Sequence, residues 1–288
     1  MRAVFFGSGS PMSTRALLAL RARPELELVA VVVPAAAPGA PWRRRLRRWR
    51  ARRPLAVLAR RWRLPVLAFH PRAAEAFLPR LRGLAADLAC VATFPHLLPP
   101  AVLGATRLGA LGLHPSQLPR HRGPDPLYWA YFAGEPETGV SVIWLDAGED
   151  TGDVVAQEAI AIPRGRSGAA LYLEMADRGA ALLATAAEAV AGGRATRTPQ
   201  DEGRATREPA PSAATVRVDP AAWDAEALWH FLGGVGVSRA FLAGPDGRPL
   251  GGRTVSWSKG TSAAPGAIAA VPGGWRIHTR DGSVDVVA

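Results

Sequence analysis

The chain has 288 residues but only one cysteine, one lysine, three tyrosines and three methionines. A lone cysteine excludes an internal disulfide. Cys90 lies in the apolar run DLACVATF, which suits a small buried hydrophobe better than a nucleophile. No apolar run approaches the roughly 20 residues of a membrane-crossing helix. The N-terminal MRAVFFGSGS lacks the longer apolar core and cleavage site of a signal peptide. These absences predict a soluble globular protein of the reducing cytoplasm. Internal repeats are missing too, which excludes a solenoid or propeller.

With Lys259 the only lysine, the positive charge is carried by arginine. Abundant Ala, Gly and Pro accompany it, a pattern of GC-rich codon supply. The distribution is therefore more informative than the total. Eleven arginines and no acid lie between Trp42 and Arg63, which matches the whole formal net charge of +11. One basic segment needs explaining, and the remainder is close to neutral. Read as a helix, Trp42, Leu46 and Trp49 share one face, leaving Arg43, Arg44, Arg45, Arg47, Arg48, Arg50, Arg52 and Arg53 around the rest. Such a segment can hold RNA phosphates by counterion release, can be a solvated or partner-binding helix, or can lie on an anionic membrane.

Short apolar runs alternate with helical stretches through the first two thirds of the chain. Strands are expected at Arg2 to Phe6, Glu27 to Val33, Leu64 to Ala68, Asp87 to Ala92 and Ala110 to His114. Helices are expected at Ser13 to Leu20, with Ser13 as N-cap, and at Pro71 to Leu81. That alternation predicts an α/β fold with a mostly parallel sheet covered on both faces. Val140 to Leu145 and Val154 to Ile162 extend it, as an antiparallel pair across a short turn. Ser167 to Ala191 reads as a long closing helix. Composition then shifts to Gly, Pro, Thr and charge, giving domains at 1–193 and 214–288 joined by a linker over 194–213. After the linker come a strand at Thr215 to Val218, a helix at Ala221 to Gly234, and Gly/Pro-punctuated strands of a small β-rich domain.

Chemistry concentrates in two segments. In LGALGLHPSQLPRHRGPDPLYW, Leu108 to Trp129, a strand ends in His114 and enters a Pro- and Gly-punctuated loop. In LDAGEDTGD, Leu145 to Asp153, a Gly-rich turn carries Asp150. A strand-end histidine with a carboxylate on a neighbouring loop suits general acid–base work, because the carboxylate can orient the imidazole. Asp146 and Asp153 read as turn caps. Gly7-Ser8-Gly9 follows the first strand but lacks the third glycine and the strand-two acid of a dinucleotide fingerprint, so it reads as a tight packing turn.

These segments resemble the 10-formyltetrahydrofolate-dependent formyltransferases, and within them the methionyl-tRNA formyltransferases. The resemblance rests on Gly112-Leu113-His114, on the loop Ser116 to Gly123, on Asp150-Thr151-Gly152 and on Thr198-Pro199-Gln200. It covers nearly the whole chain and is strongest over 87–160. It implies a Rossmann-like formyltransferase sheet with a small C-terminal β-barrel-like domain. It also implies transfer of a formyl group from 10-formyltetrahydrofolate, as co-substrate and without a metal, to a primary amine. His114 would donate to the developing oxyanion and Asp150 would assist proton transfer. Val91, Ala92, Thr93, Phe94, His96, Leu145, Asp146, Gly148 and Glu149 would line the folate site, with Phe94 and His96 narrowing it. Ser116, Leu118, Pro119, Arg122 and Gly123 would form the substrate loop. The arginine segment stands where a basic insertion of the methionyl-tRNA enzymes contacts the tRNA acceptor arm, so the expected partner is tRNA or a small-molecule amine, with the protein a monomer.

One position departs from the pattern. Gly112 replaces the family asparagine, a second oxyanion donor whose loss typically costs about 10²–10³ in rate. Three readings follow. His96, Ser116 or an ordered water supplies the donor; the enzyme is slow or takes an unusual amine; or a folate- or RNA-binding protein remains after loss of catalysis. A gap is expected where the asparagine amide would sit.

Overall fold

The computed structural model describes residues 1–39, 41, 53–260 and 264–287. The first unit opens with strand β1 (Arg2–Gly7), helix α1 (Pro11–Arg21) and strand β2 (Glu27–Pro34). Helix α2, described over 53–61, leads into β3 (Val66–Phe69), α3 (Ala74–Arg82) and β4 (Leu88–Ala92). A short α4 (Pro100–Leu103) precedes β5 (Ala110–His114). Then come α5 (Pro126–Phe132), β6 (Glu137–Trp144), β7 (Val154–Ala161), α6 (Gly168–Ala191) and α7 (Ala225–Val235). Strands β8 (Arg253–Lys259), β9 (Ile268–Val271), β10 (Gly274–His278) and β11 (Gly282–Val287) complete the chain.

The main sheet runs β3-β2-β1-β4-β5-β6-β7. Strands β1 to β5 pair in parallel and β6 pairs antiparallel to β5. The apolar, β-branched strands fit this sheet because both faces are covered: β2 is buried from Leu28 to Pro34 and β4 throughout. On one face Phe77 of α3 packs on Phe69 and edge-on to Phe6, with Leu67 and Val32 in the same core. Cys90 is wholly buried in β4, and desolvation pushes its thiol up to about 12, which leaves it inert as a nucleophile. Ser10, not Ser13, caps α1: its hydroxyl accepts from the Ser13 amide, with Pro11 at the first helical turn. Ser13 is buried instead, and its hydroxyl donates to the Ala92 carbonyl at 2.7 Å.

By internal contacts the first unit comprises Met1–Arg122, Gly139–Ile160 and Leu173–Thr206, and the second Gly123–Thr138, Ala161–Tyr172 and Arg207–Ala288. Of the expected linker 194–213, residues up to Thr206 group with the first unit and hold one short 3₁₀ turn, Glu202–Arg204. Thr215 to Val218 is not a strand. In the second unit a four-stranded antiparallel sheet, ordered β8-β11-β10-β9, packs β8 and β11 under α7. Val284, Val286 and Ile277 fill its covered face. Tyr128, Phe132, Trp223 and Phe231 form an aromatic cluster with ring centroids 5.2–5.6 Å apart. No helix among the described residues is long and apolar enough to cross a membrane.

His230 of α7 is 1% exposed, and its Nδ1 accepts the Gly165 amide at 3.1 Å. Burial, with help from Arg164 and against Glu226, lowers its pKa from 6.5. A histidine whose folded value is depressed contributes stability that is present above the unfolded value and is lost as pH falls through the folded one. The melting temperature of wild type relative to His230→Gln, which keeps an acceptor for Gly165, is therefore expected to decline as pH is lowered from 7 to 5. Parallel melting curves for the two proteins across that range would contradict a buried neutral imidazole.

Candidate active site

His114 ends β5, the strand after which chain direction in the sheet reverses, and is 7% exposed. The order of the sheet reverses one strand over, between β1 and β4, and such a switch point leaves a crevice beyond the carboxyl ends of the strands. Strand β6 leaves the sheet at Trp144, opposite Leu111, and the turn over 145–153 brings Asp150 back towards the end of β5. Asp150 Oδ2 lies 3.4 Å from His114 Nδ1. On the other side of the ring, Nε2 lies 2.9 Å from the His121 carbonyl oxygen. A carbonyl and a carboxylate only accept, so an imidazole that satisfies both donates from both nitrogens. The 3.4 Å contact exceeds the usual 2.7–2.9 Å of a charge-assisted hydrogen bond. Nδ1 is therefore the nitrogen less committed to a protein partner.

The turn that delivers Asp150 is shaped by its glycines and by strain. A Cβ at Gly152 would stand 1.7 Å from the Trp144 carbonyl oxygen, so only glycine closes the neck of this turn. Asp146 Oδ1 accepts the Gly148 amide at 3.0 Å and the Thr151 hydroxyl at 2.7 Å, a turn cap as expected. Asp150 itself has φ 58. A non-glycine residue there costs of order 1–3 kcal/mol, less for Asp than for bulkier residues, and persists only where its surroundings impose it. The Gln200 side-chain amide imposes it by donating to the carbonyls of Asp150 and Gly152, both at 2.8 Å.

The loop after His114 is equally tied down. Ser116 is fully buried and its hydroxyl donates to the Arg120 carbonyl at 2.7 Å. The Leu118 amide donates to Ser141 Oγ, and its carbonyl accepts from Gln157 at 2.6 Å, ahead of Pro119. Arg122 is 7% exposed and reaches Gln200 Oε1 and both carboxylate oxygens of Glu202 at 2.6–3.1 Å. The Glu202 hydrogen bond raises the Arg122 pKa, and the same bond holds the Glu202 carboxyl below its ordinary range. Gly123 follows at φ 93.

The segment after β4 is closed by hydroxyls. Thr93, at φ 50, bonds Ser13, Ser10 and Ser8 at 2.5, 2.7 and 3.2 Å, so the Gly7 to Pro11 turn is a packing element beside this loop. Val91 and Ala92 are buried in β4. The Phe94 ring packs against Phe6 and Phe69, and His96 packs on His70 and Phe94. Glu149 and Leu145 are half-buried in the turn opposite.

The expected gap beside Gly112 does not exist. A Cβ there would meet Leu145 Cδ2 at 2.5 Å and Cγ at 3.0 Å, because Leu145 folds over the strand and fills the place of an asparagine side chain. Arg43, Arg44, Arg45, Arg47, Arg48, Arg50 and Arg52 lie outside the described residues, and Arg53 opens the described part of α2, exposed. No group of three or more His, Cys, Asp or Glu able to hold a metal occurs among the described residues. Reasoning from residue types missed Gln200, Glu202 and Thr206 as partners of the site loops. A Pro-Gln pair in a polar stretch was the only signal, and its partners are backbone carbonyls with no sequence signature.

Comparison with known proteins gives this geometry its context. The chain is 36% identical over 156 residues to the methionyl-tRNA formyltransferase of Syntrophus aciditrophicus, covering 54% of this chain and 50% of that protein. It is 38% identical over 180 residues to that of Nitrobacter hamburgensis, covering 62% and 58%. The matches thus span about half the length of these curated relatives. In fold it is similar to the N-formyltransferase of Helicobacter canadensis in complex with folinic acid and dTDP-3-aminofucose, with a TM-score of 0.65 at 12% identity over 99% of this chain and 98% of that one. The formyl transferase profile matches residues 1–187, and with His114 and Asp150 juxtaposed at the end of β5 within that span, the chain belongs to the formyl transferase family.

Proposed function

We propose that this protein transfers a formyl group from 10-formyltetrahydrofolate to the amino group of methionyl-tRNA. The observation that carries the reading is the 3.4 Å His114–Asp150 pair at the carboxyl end of β5. In this chemistry the amine nitrogen bonds the formyl carbon, oxygen takes up negative charge, and the bond to the folate nitrogen then breaks. A site must supply a donor for the oxygen and an acceptor for the ammonium proton. His114 Nδ1 supplies the donor. The His121 carbonyl at Nε2 holds the ring, and Asp150 takes the ammonium proton and returns one to the departing folate nitrogen. The apolar wall of Val91, Ala92 and Phe94 with the backbone of the 145–149 turn suits a flat heteroaromatic ligand. Residues 1–193 serve as the catalytic domain, 194–213 as the connection and 214–288 as a C-terminal domain.

A second reading, formylation of a small amine such as an amino sugar, is favoured by charge. Residues 214–288 carry seven basic and six acidic side chains, too nearly neutral to attract nucleic acid unaided. The acceptor is decided by assaying formyl transfer to charged initiator tRNA beside a panel of free amines. His114→Ala and Asp150→Asn should each lower transfer to the true acceptor by about 10²–10⁴. Wild-type rates in both variants would remove the pair from the chemistry, and folate binding without turnover on any amine would leave a binding protein.

Because Leu145 occupies the space over Gly112, Gly112→Asn alone should not raise transfer. Joined to Leu145→Ala, it has room for the amide, and the double variant should exceed Leu145→Ala by on the order of tenfold or more. Equal rates for those two proteins would show that no donor is missing at this position.

If the arginine segment holds tRNA, affinity should fall steeply with salt. Neutralising three of Arg44, Arg47, Arg48 and Arg52 should flatten the log–log slope by about three. An unchanged slope would show that the segment does not hold tRNA.

A further inference from the structure

We propose that residues 198–206 are a positioning strap for the His114–Asp150 pair, with Gln200 as its principal residue. The inference rests on the formyl-transfer reading for its kinetic consequence, while its geometric content stands apart from that reading. The strap starts where Thr198 pairs with Val154 in both directions, N–H to carbonyl, at 2.8 and 3.0 Å. Two residues on, Gln200 is wedged between a cation and two carbonyls. Its oxygen accepts from Arg122 Nε and Nη2 at 3.1 and 2.9 Å, and its nitrogen donates to the Asp150 and Gly152 carbonyls. Arginine only donates and carbonyls only accept, so the amide has one orientation. One side chain therefore ties the loop after His114 to the turn that carries Asp150.

The strap then reaches the other side of the imidazole. Thr206 accepts the His121 amide on its hydroxyl at 2.8 Å and the Arg122 amide on its carbonyl at 2.9 Å, and its own amide donates to the Pro119 carbonyl at 3.1 Å. His121 supplies the carbonyl that meets His114 Nε2. Both partners of the ring, the Asp150 carboxylate and the His121 carbonyl, are thus set from a single nine-residue segment. Gln200 and Thr206 act through these residues and do not touch the ring, so they are positioning residues. Misplacement of reacting groups by about 1 Å costs on the order of 10²-fold in rate.

The variants are chosen to separate positioning from mere packing. Gln200→Glu keeps an oxygen for Arg122, adds a charge that favours that contact, and removes the two donors to the Asp150 turn. Gln200→Ala removes everything, and Thr206→Val removes only the hydroxyl acceptor for His121. Each is tested for kcat and KM with 10-formyltetrahydrofolate and the accepted amine, and for the His114 ring signals in ¹⁵N-labelled protein. Expected are a fall in kcat of about tenfold or more in Gln200→Glu with KM little changed, a smaller fall in Thr206→Val, and displaced His114 ring signals in both. Wild-type kcat and unmoved ring signals in Gln200→Glu would overturn the proposal, even if Gln200→Ala fails to fold. Should wild type formylate no amine, the formyl-transfer reading fails. The ring signals of Gln200→Glu and Thr206→Val then decide the strap alone, upholding it if displaced and overturning it if not.

Discussion

A single imidazole with an acceptor on each side sets the terms for everything around it. The ring of His114 is fixed at the end of a buried strand, so it cannot search for its partners, and they must be brought to it. One arrives as a backbone carbonyl seven residues later, the other as a carboxylate on a turn that leaves the sheet from a different strand. Neither loop is held by its own propensity. Asp150 sits in a left-handed conformation, and His121 does so too at φ 57. Local strain at both partners is offset by hydrogen bonds from elsewhere in the chain, a common arrangement at sites where geometry must be held against relaxation.

Where sequence and structure agree, the signal was periodic and the cause was burial. β5 spans Ala110 to His114 as read from its apolar run, and β1, β2 and β4 differ from expectation by a residue or so at their ends. Both-face burial leaves a parallel-sheet strand little choice of composition, so such strands are legible. That His114 and Asp150 lie close together was legible for another reason: a strand-end histidine and an acid in a glycine-rich turn stand in segments of recognisable pattern. The helix cap was misread by one turn, since serines occupy both 10 and 13 and only packing shows which of them is buried.

What was illegible has a common cause. The polar stretch after α6 has the composition of a tether, and composition records neither hydrogen-bond partners nor distance. Its contacts run from side chains to backbone carbonyls, which every residue possesses. Leu145 posed a similar problem. An apolar residue after a strand is unremarkable until the register of β6 against β5 places it over a glycine. The vacancy expected from the Gly112 exchange was a statement about one position, whereas side-chain volume is shared between neighbours.

The bracing of the site by residues 198–206 also bears on how this protein divides. The seven-stranded sheet and helices α1 to α6 are complete by residue 191, but a chain ending there would strip Tyr128 and Phe132 of α5 of their partners Trp223 and Phe231. It would also lose the Gln200 amide and the Thr206 hydroxyl. The bonds that order the site therefore reach beyond the last helix of the main sheet, to residue 206. Moving the site into another protein would succeed or fail on nine residues, 198–206, none of which belongs to the buried apolar core.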